Sequence, residues 1–269
     1  MRRRFVVFIG ISTLFGIAVS LSAQYQNAFK VTWIEPGSGA ILPEFDAFDS
    51  VEGTLGVLNA SGPVNTEGHP FFTPLGTNGR ACINCHQPTY AMSVSTTGLL
   101  QRWRLTDGKD PVFAAFDGSN CPGLPQEKES SHSLLLKRGL FRIPLQWPPR
   151  KADGSPKPVE FTIEVVRDPT GCNTSREYGL QSADPTISVY RRPRPAANLK
   201  YVISGGRPIV LKTGTLADVD PETGNPVSMN LMTDAREPSL KTQALSRDHG
   251  PRRSSCGPLA GADRKDRRI

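Results

Sequence analysis

Aromatic side chains make up only 7% of these 269 residues, and there are just 4 His and 4 Met. A chain so poor in rings has little material for a large all-protein core. Its potential metal ligands are few enough to weigh one by one. No apolar run reaches the roughly 18–20 clean residues of a membrane-spanning helix. There is no internal repeat, which excludes solenoid and propeller arrays. The body of the chain also lacks net charge. The formal total is +7. Arg2, Arg3 and Arg4 supply +3 of it, and the seven basic and three acidic residues of 246–269 supply the other +4. Residues 24–245 are therefore neutral, and the high isoelectric point implies no nucleic-acid partner.

Proline (24) and glycine (25) are abundant, which predicts short elements joined by long irregular segments. The N-terminus reads as a secretory signal peptide over residues 1–23. Arg2–Arg4 form a positive start, residues 5–21 are apolar with breaks at Gly10, Ser12, Thr13 and Gly16, and small residues follow at Ser20, Ser22 and Ala23. Cleavage near Ala23 would release the chain into the periplasm or beyond. A membrane association is expected only if the signal stays uncleaved. Residues 246–269 are rich in Arg, Gly, Ser and Asp, without periodicity, and read as a disordered basic tail.

The most specific feature is Cys82-Ile83-Asn84-Cys85-His86. C-x-x-C-H is the attachment pattern of a c-type haem. Two thiols that add to the two vinyl groups on one haem edge must lie on one side of a short turn. The adjacent histidine then reaches the iron as proximal ligand. Cys82 and Cys85 are thus the expected covalent anchors of one haem c, and His86 the expected iron ligand. A dithiol redox pair is the main competing reading, but that motif follows a strand in a βαβ unit, whereas residues 70–79 read as a loop. A zinc site would need further closely spaced ligands.

The expected fold is mainly α, a cytochrome c-like haem domain over residues 24–245 with long irregular loops and a small β element. Helices are predicted over 79–87, 96–105, 131–141 (capped by Ser131 or Ser133) and 240–245. A strand is predicted over 160–166, and a hairpin joining 201–204 to 209–212. Residues 106–130 and 147–158 read as loops. Cys121 and Cys172 lie in loop-like surroundings and in an exported chain suggest a disulfide. Trp103 and Trp147 suit core packing better than haem contact.

Three stretches carry a resemblance to a known family. The first is Leu75-Gly76-Thr77-Asn78-Gly79-Arg80-Ala81-Cys82-Ile83-Asn84-Cys85-His86-Gln87-Pro88. The second is Arg191-Arg192-Pro193-Arg194-Pro195-Ala196-Ala197-Asn198-Leu199. The third runs from Met232 through Asp234-Ala235-Arg236 to Gln243-Ala244. Together, in this order, they resemble the first haem segment of the bacterial di-haem cytochrome c peroxidase and MauG-like family, over roughly residues 70–245. Members of that family carry two C-x-x-C-H motifs; this chain has one. Thr233 and Ala235 stand where the family has Trp and Gly. The expectation is a one-haem remnant, truncated or frame-shifted.

The resemblance implies that Arg192 and Arg236 contact the haem propionates, with Arg194 a weaker candidate; a guanidinium suits a carboxylate. A sixth iron ligand would come from Met229, Met232, His132, Met92 or His69. Met229 and Met232 lie near the stretch that in the family packs close to the first haem. Met and His132 are also ordinary core residues. An open iron site is the further alternative.

The expected function is covalent haem binding and one-electron transfer in the periplasm, with a redox partner protein. The alternative is a haem peroxidase reducing hydrogen peroxide. A weaker third reading is a thiol-disulfide oxidoreductase using Cys82 and Cys85.

Overall fold

The computed structural model describes residues 32–50, 53–74, 79–150, 154–204, 209–210, 216–217 and 230–232. The proposed signal peptide, the basic tail, the helix expected over 240–245, Met229 and Arg236 all lie outside these residues.

Among the described residues the chain forms four two-stranded antiparallel ribbons. β1 (Ile41–Leu42) pairs with β4 (Val64–Asn65), and β2 (Phe45–Ser50) with β3 (Gly53–Leu58). β5 (Phe141–Gln146) pairs with β6 (Thr186–Arg191), and β7 (Ile209–Val210) with β8 (Leu216–Ala217). The α-helices are α1 (Thr96–Thr106), α2 (Ser133–Arg138) and α3 (Leu199–Ser204). Short 3₁₀ turns cover Cys82–Asn84, Pro88–Tyr90, Pro111–Phe113 and Glu129–His132.

This is not the mainly α cytochrome c-like fold that the sequence predicts. Local chemistry explains each difference. The helix expected over 79–87 shrinks to one 3₁₀ turn, because the Asn84 side chain folds back onto the Ala81 N–H at 2.8 Å and Pro88 follows. The helix expected over 131–141 becomes a 3₁₀ turn followed by α2. Gly139 stops it at φ 65°, and Phe141 already belongs to β5. The strand expected over 160–166 has the right alternation but no partner, and it stays irregular. Residues 201–204 fall in α3, so the strand they were to contribute to a hairpin does not exist.

The helix expected over 96–105 is present as α1. Ser95 caps it by accepting the Gly98 N–H at 3.0 Å, and Asp107 ends it in the left-handed conformation at φ 53°. Leu99 and Trp103, four apart, point into the core. That core gathers Val94, Leu99, Trp103, Val112, Phe113, Leu135, Leu136 and Phe141. A second cluster holds Ile34, Phe72 and Ile83. Trp103 meets Phe113 edge-on, with centroids 4.9 Å apart. Trp147 lies against Phe161 at 5.1 Å.

Cys121 and Cys172 are disulfide-bonded, with Cα atoms 5.3 Å apart. Both are buried, and the bond ties together irregular segments 51 residues apart. Loop closure of that length restricts the unfolded chain strongly.

Candidate haem-attachment turn

The motif turn is held between the two apolar clusters. Ile83 is fully buried with Ile34 and Phe72, and its N–H donates to the Phe71 carbonyl at 3.1 Å. Cys85 lies against the larger cluster. In a 3₁₀ turn, side chains three apart eclipse one another. Cys82 opens the turn and Cys85 caps it, three residues on, the spacing that suits two side chains on one side. Neither cysteine is in a disulfide, and both are half-buried.

The loop after the motif is shaped to grip His86. Pro88–Tyr90 forms a 3₁₀ turn, and Ala91 and Met92 follow at φ 56° and 58°. Two successive left-handed residues reverse the chain, so that the Gln87 N–H meets the Ser93 carbonyl at 2.9 Å. The Met92 carbonyl then faces His86 Nδ1 at 2.7 Å. A carbonyl only accepts, so this contact puts the ring proton on Nδ1. In the neutral ring the lone pair is then on Nε2, the nitrogen a proximal ligand uses.

Gln87 anchors the loop from below. Its fully buried amide donates to the Ile34 carbonyl at 3.0 Å and the Ile83 carbonyl at 2.8 Å, and accepts the Ile34 N–H at 2.8 Å. Tyr90 lies directly on Gly98 of α1. A Cβ at Gly98 would fall 2.2 Å from the Tyr90 hydroxyl oxygen.

Arg80 sits beside the turn and is buried. It pairs with Asp117 at 2.5 Å, reaches Cys85 Sγ at 3.8 Å, and lies over the Phe116 ring at 4.9 Å. Burial opposes its charge. Asp117, with a smaller part from Cys85, outweighs burial and drives its pKa above the usual arginine range. Buried Arg142 holds the same loop, donating to the Phe116 carbonyl at 2.8 Å and to Ser188 Oγ at 2.7 Å. Burial keeps its pKa below the usual value.

The structure brings the stretch 191–199 onto the loop of the motif. The Ala196 N–H donates to the Met92 carbonyl at 3.0 Å. Ser93 Oγ donates to the Pro193 carbonyl at 2.7 Å, and Arg192 Nη2 to the Val94 carbonyl at 2.9 Å. Arg194 in turn donates to the carbonyls of Asn230 and Met232, at 3.1 and 3.2 Å. The motif, the arginine stretch and the first residue of the third stretch are thus neighbours in a chain of hydrogen bonds.

The other candidates are placed as follows. His132 is fully buried 4.7 Å from Trp103, and its two ring nitrogens face the carbonyls of Gly118 and Gln126 at 2.8 and 2.9 Å. His69 Nδ1 accepts the Phe71 N–H at 3.2 Å. Met92 contributes its carbonyl to His86. Met232 enters through its carbonyl, on Arg194. A cavity of about 390 Å³ lies beside Asn84, bordered by Glu35, Gly79, Arg102 and Asp110; neither cysteine nor His86 lines it. Arg102 there holds the Glu35 carboxylate with both Nη atoms and Asp110 at 2.6 Å.

The residues present fit a covalently attached haem. Two cysteines outside any disulfide stand three apart on one turn, and the histidine beside them has its tautomer set by a backbone acceptor. Among the described residues, no three His, Cys, Asp or Glu side chains gather into a metal-holding group. The C-x-x-C follows a loop, and the ribbons around it are antiparallel, unlike a βαβ redox unit. Sequence reasoning missed Gln87, Arg80 and the Met92 carbonyl. Only the presence of an arginine, Arg80, two residues before Cys82 offered a signal. The chain matches no protein-family model, no curated protein and no solved structure.

Proposed function

We propose that this chain carries one haem c and acts as a periplasmic one-electron carrier. The observation that carries the reading is the contact of His86 Nδ1 with the Met92 carbonyl, inside a C-x-x-C-H turn neither of whose cysteines is in a disulfide. The bound haem supplies an iron that takes up and gives back one electron. Cys82 and Cys85 would hold it through thioethers, a thiol addition that needs no oxidant or reductant. His86 would ligate through Nε2, with the Met92 carbonyl orienting the ring and raising its basicity.

The resemblance of 75–88, 191–199 and 232–244 to the di-haem peroxidase family supports the same reading. The signal-like residues 1–23 and the Cys121–Cys172 bond suit an oxidising compartment outside the cytoplasm. The test is haem staining after denaturing electrophoresis of the full chain, co-expressed with a c-type maturation system. A covalent band is expected, weakened in Cys82→Ala or Cys85→Ala and absent in the double variant. A mature chain without such a band rejects the proposal. Rapid peroxide turnover by the haem-loaded protein would instead favour the peroxidase reading.

A further inference from the structure

Between residues 31 and 79 the sequence holds the carboxylates of Glu35, Glu44, Asp46, Asp49, Glu52 and Glu67, and no Lys or Arg at all. This acidic stretch includes the β2–β3 ribbon, whose two faces differ. One face turns inward: Phe48 is buried and Val57 half-buried, and the ribbon packs against Pro88, two residues after His86. The register places Phe45 opposite Leu58, Ala47 opposite Gly56 and Asp49 opposite Thr54 on the other face. Phe45 is 62% exposed and Leu58 67%. The Phe45 ring lies across Gly56, where an added Cβ would stand 3.2 Å from its edge. The result is a contiguous apolar strip with exposed Glu44 and Asp49 beside it. Scattered exposed apolar residues need no explanation, but a contiguous exposed apolar strip with a polar rim marks an interaction site.

We propose that this outer face is the docking surface for the electron-transfer partner, and that the partner is a small basic protein with lysines or arginines around an apolar centre. The proposal rests on the haem reading of the 82–86 turn. A partner seated here is separated from the His86 loop by one ribbon, a layer of about 10 Å. Electron-transfer contacts are small and transient, and opposite charges steer their encounter. The charge argues against other occupants. A two-fold contact with a second copy would set carboxylates against carboxylates. An anionic lipid surface would repel the same rim.

The test uses the haem-loaded full chain and an immobilised lysine-rich soluble cytochrome c as probe. Association and dissociation rates are read at low and at physiological ionic strength. The wild type should associate faster at low salt. Glu44→Lys with Asp49→Lys should slow association about tenfold there and flatten its salt dependence. Phe45→Ser should speed dissociation and keep the salt dependence. All of these residues are exposed, so unchanged circular-dichroism melts are expected. Rates that ignore both variants overturn the proposal. So does a concentration-dependent dimer that Phe45→Ser abolishes, and so does a peptide of residues 246–269 that displaces the probe from the wild type alone. A chain without covalent haem rejects the functional reading itself, whereas a haem-loaded chain with ribbon-independent binding rejects only the docking surface.

Discussion

His86 and Ala196 share one acceptor: the Met92 carbonyl lies 2.7 Å from the imidazole Nδ1 and 3.0 Å from the Ala196 amide nitrogen. Two donors on one carbonyl compete for its electron density. Removing the Ala196 N–H should leave His86 the stronger bond. With the proposed haem bound, its ring would then gain imidazolate character, which favours ferric iron. An amide-to-ester replacement at Ala196 removes that proton and leaves the side chain untouched. The expected result is a reduction potential lower by a few tens of millivolts, the one-electron equivalent of roughly 0.5–1.5 kcal/mol for a hydrogen bond. Spectroelectrochemical titration of the haem-loaded protein checks it, and an unchanged or raised potential refutes it.

Gly98 is where α1 admits the loop that follows the motif. Its missing side chain gives Tyr90 a seat, since a Cβ would come within 2.5 Å of two ring carbons. Gly98→Ala should raise helix propensity by up to about 1 kcal/mol. Displacing Tyr90 should cost more, about 1–3 kcal/mol as for an overpacked core. A lower thermal midpoint is expected despite the better helix former, together with reduced covalent haem loading. A melting temperature at or above the wild type contradicts the argument.

The extent to which the sequence foretold these features depended on their physical range. The candidate haem-holding residues Cys82, Cys85 and His86 lie within five residues of sequence, so their spacing alone made the motif legible. The helix α1 was readable because Leu99, Leu100 and Trp103 recur at helical spacing. Cys121 and Cys172 could be paired because few thiols were available. Global content was not readable. The Asn84 side chain turned an expected helix into a single 3₁₀ turn, and Phe141–Gln146 became a strand despite Pro144, which a two-stranded ribbon tolerates at its edge. Phe161, Ile163 and Val165 alternate as a strand should, but alternation describes a face and cannot supply a partner. Gln87 and the Met92 carbonyl hold the site through backbone groups, which no residue pattern advertises.

Arg80 and Asp117 form a buried pair, with side chains 6% and 7% exposed. Such pairs are costly to break one partner at a time. Arg80→Met should destabilise the chain by about 3–5 kcal/mol, because the Asp117 carboxylate is left in a dry site. Arg80→Met with Asp117→Leu should recover much of that loss. Urea unfolding of all three variants and the wild type measures it. A double variant no better than Arg80→Met would mean that the cost lies in the lost contacts of Arg80 with Phe116 and Cys85.

Asp168 controls the loop that carries Cys172. One of its oxygens accepts the Thr170 N–H and hydroxyl at 3.3 and 2.8 Å; the other accepts the Thr174 N–H and hydroxyl at 2.8 and 3.0 Å. Partial burial alone would raise its pKa. The donated hydrogen bonds from Thr174 and Thr170 outweigh that and hold it below the usual aspartate value. A carboxylate with a depressed folded-state pKa binds its proton less readily than in the unfolded chain. It therefore contributes stability above the unfolded value of about 3.9, and that contribution disappears as pH falls through the folded value. Asp168→Asn should accordingly lower the urea midpoint at pH 7 and lose its effect as the pH falls through the folded-state value. The comparison must be made with the disulfide intact, since the bond and the carboxylate order the same loop. A stability gap that persists unchanged into acid would show that the asparagine fails for its shape and not for its missing charge.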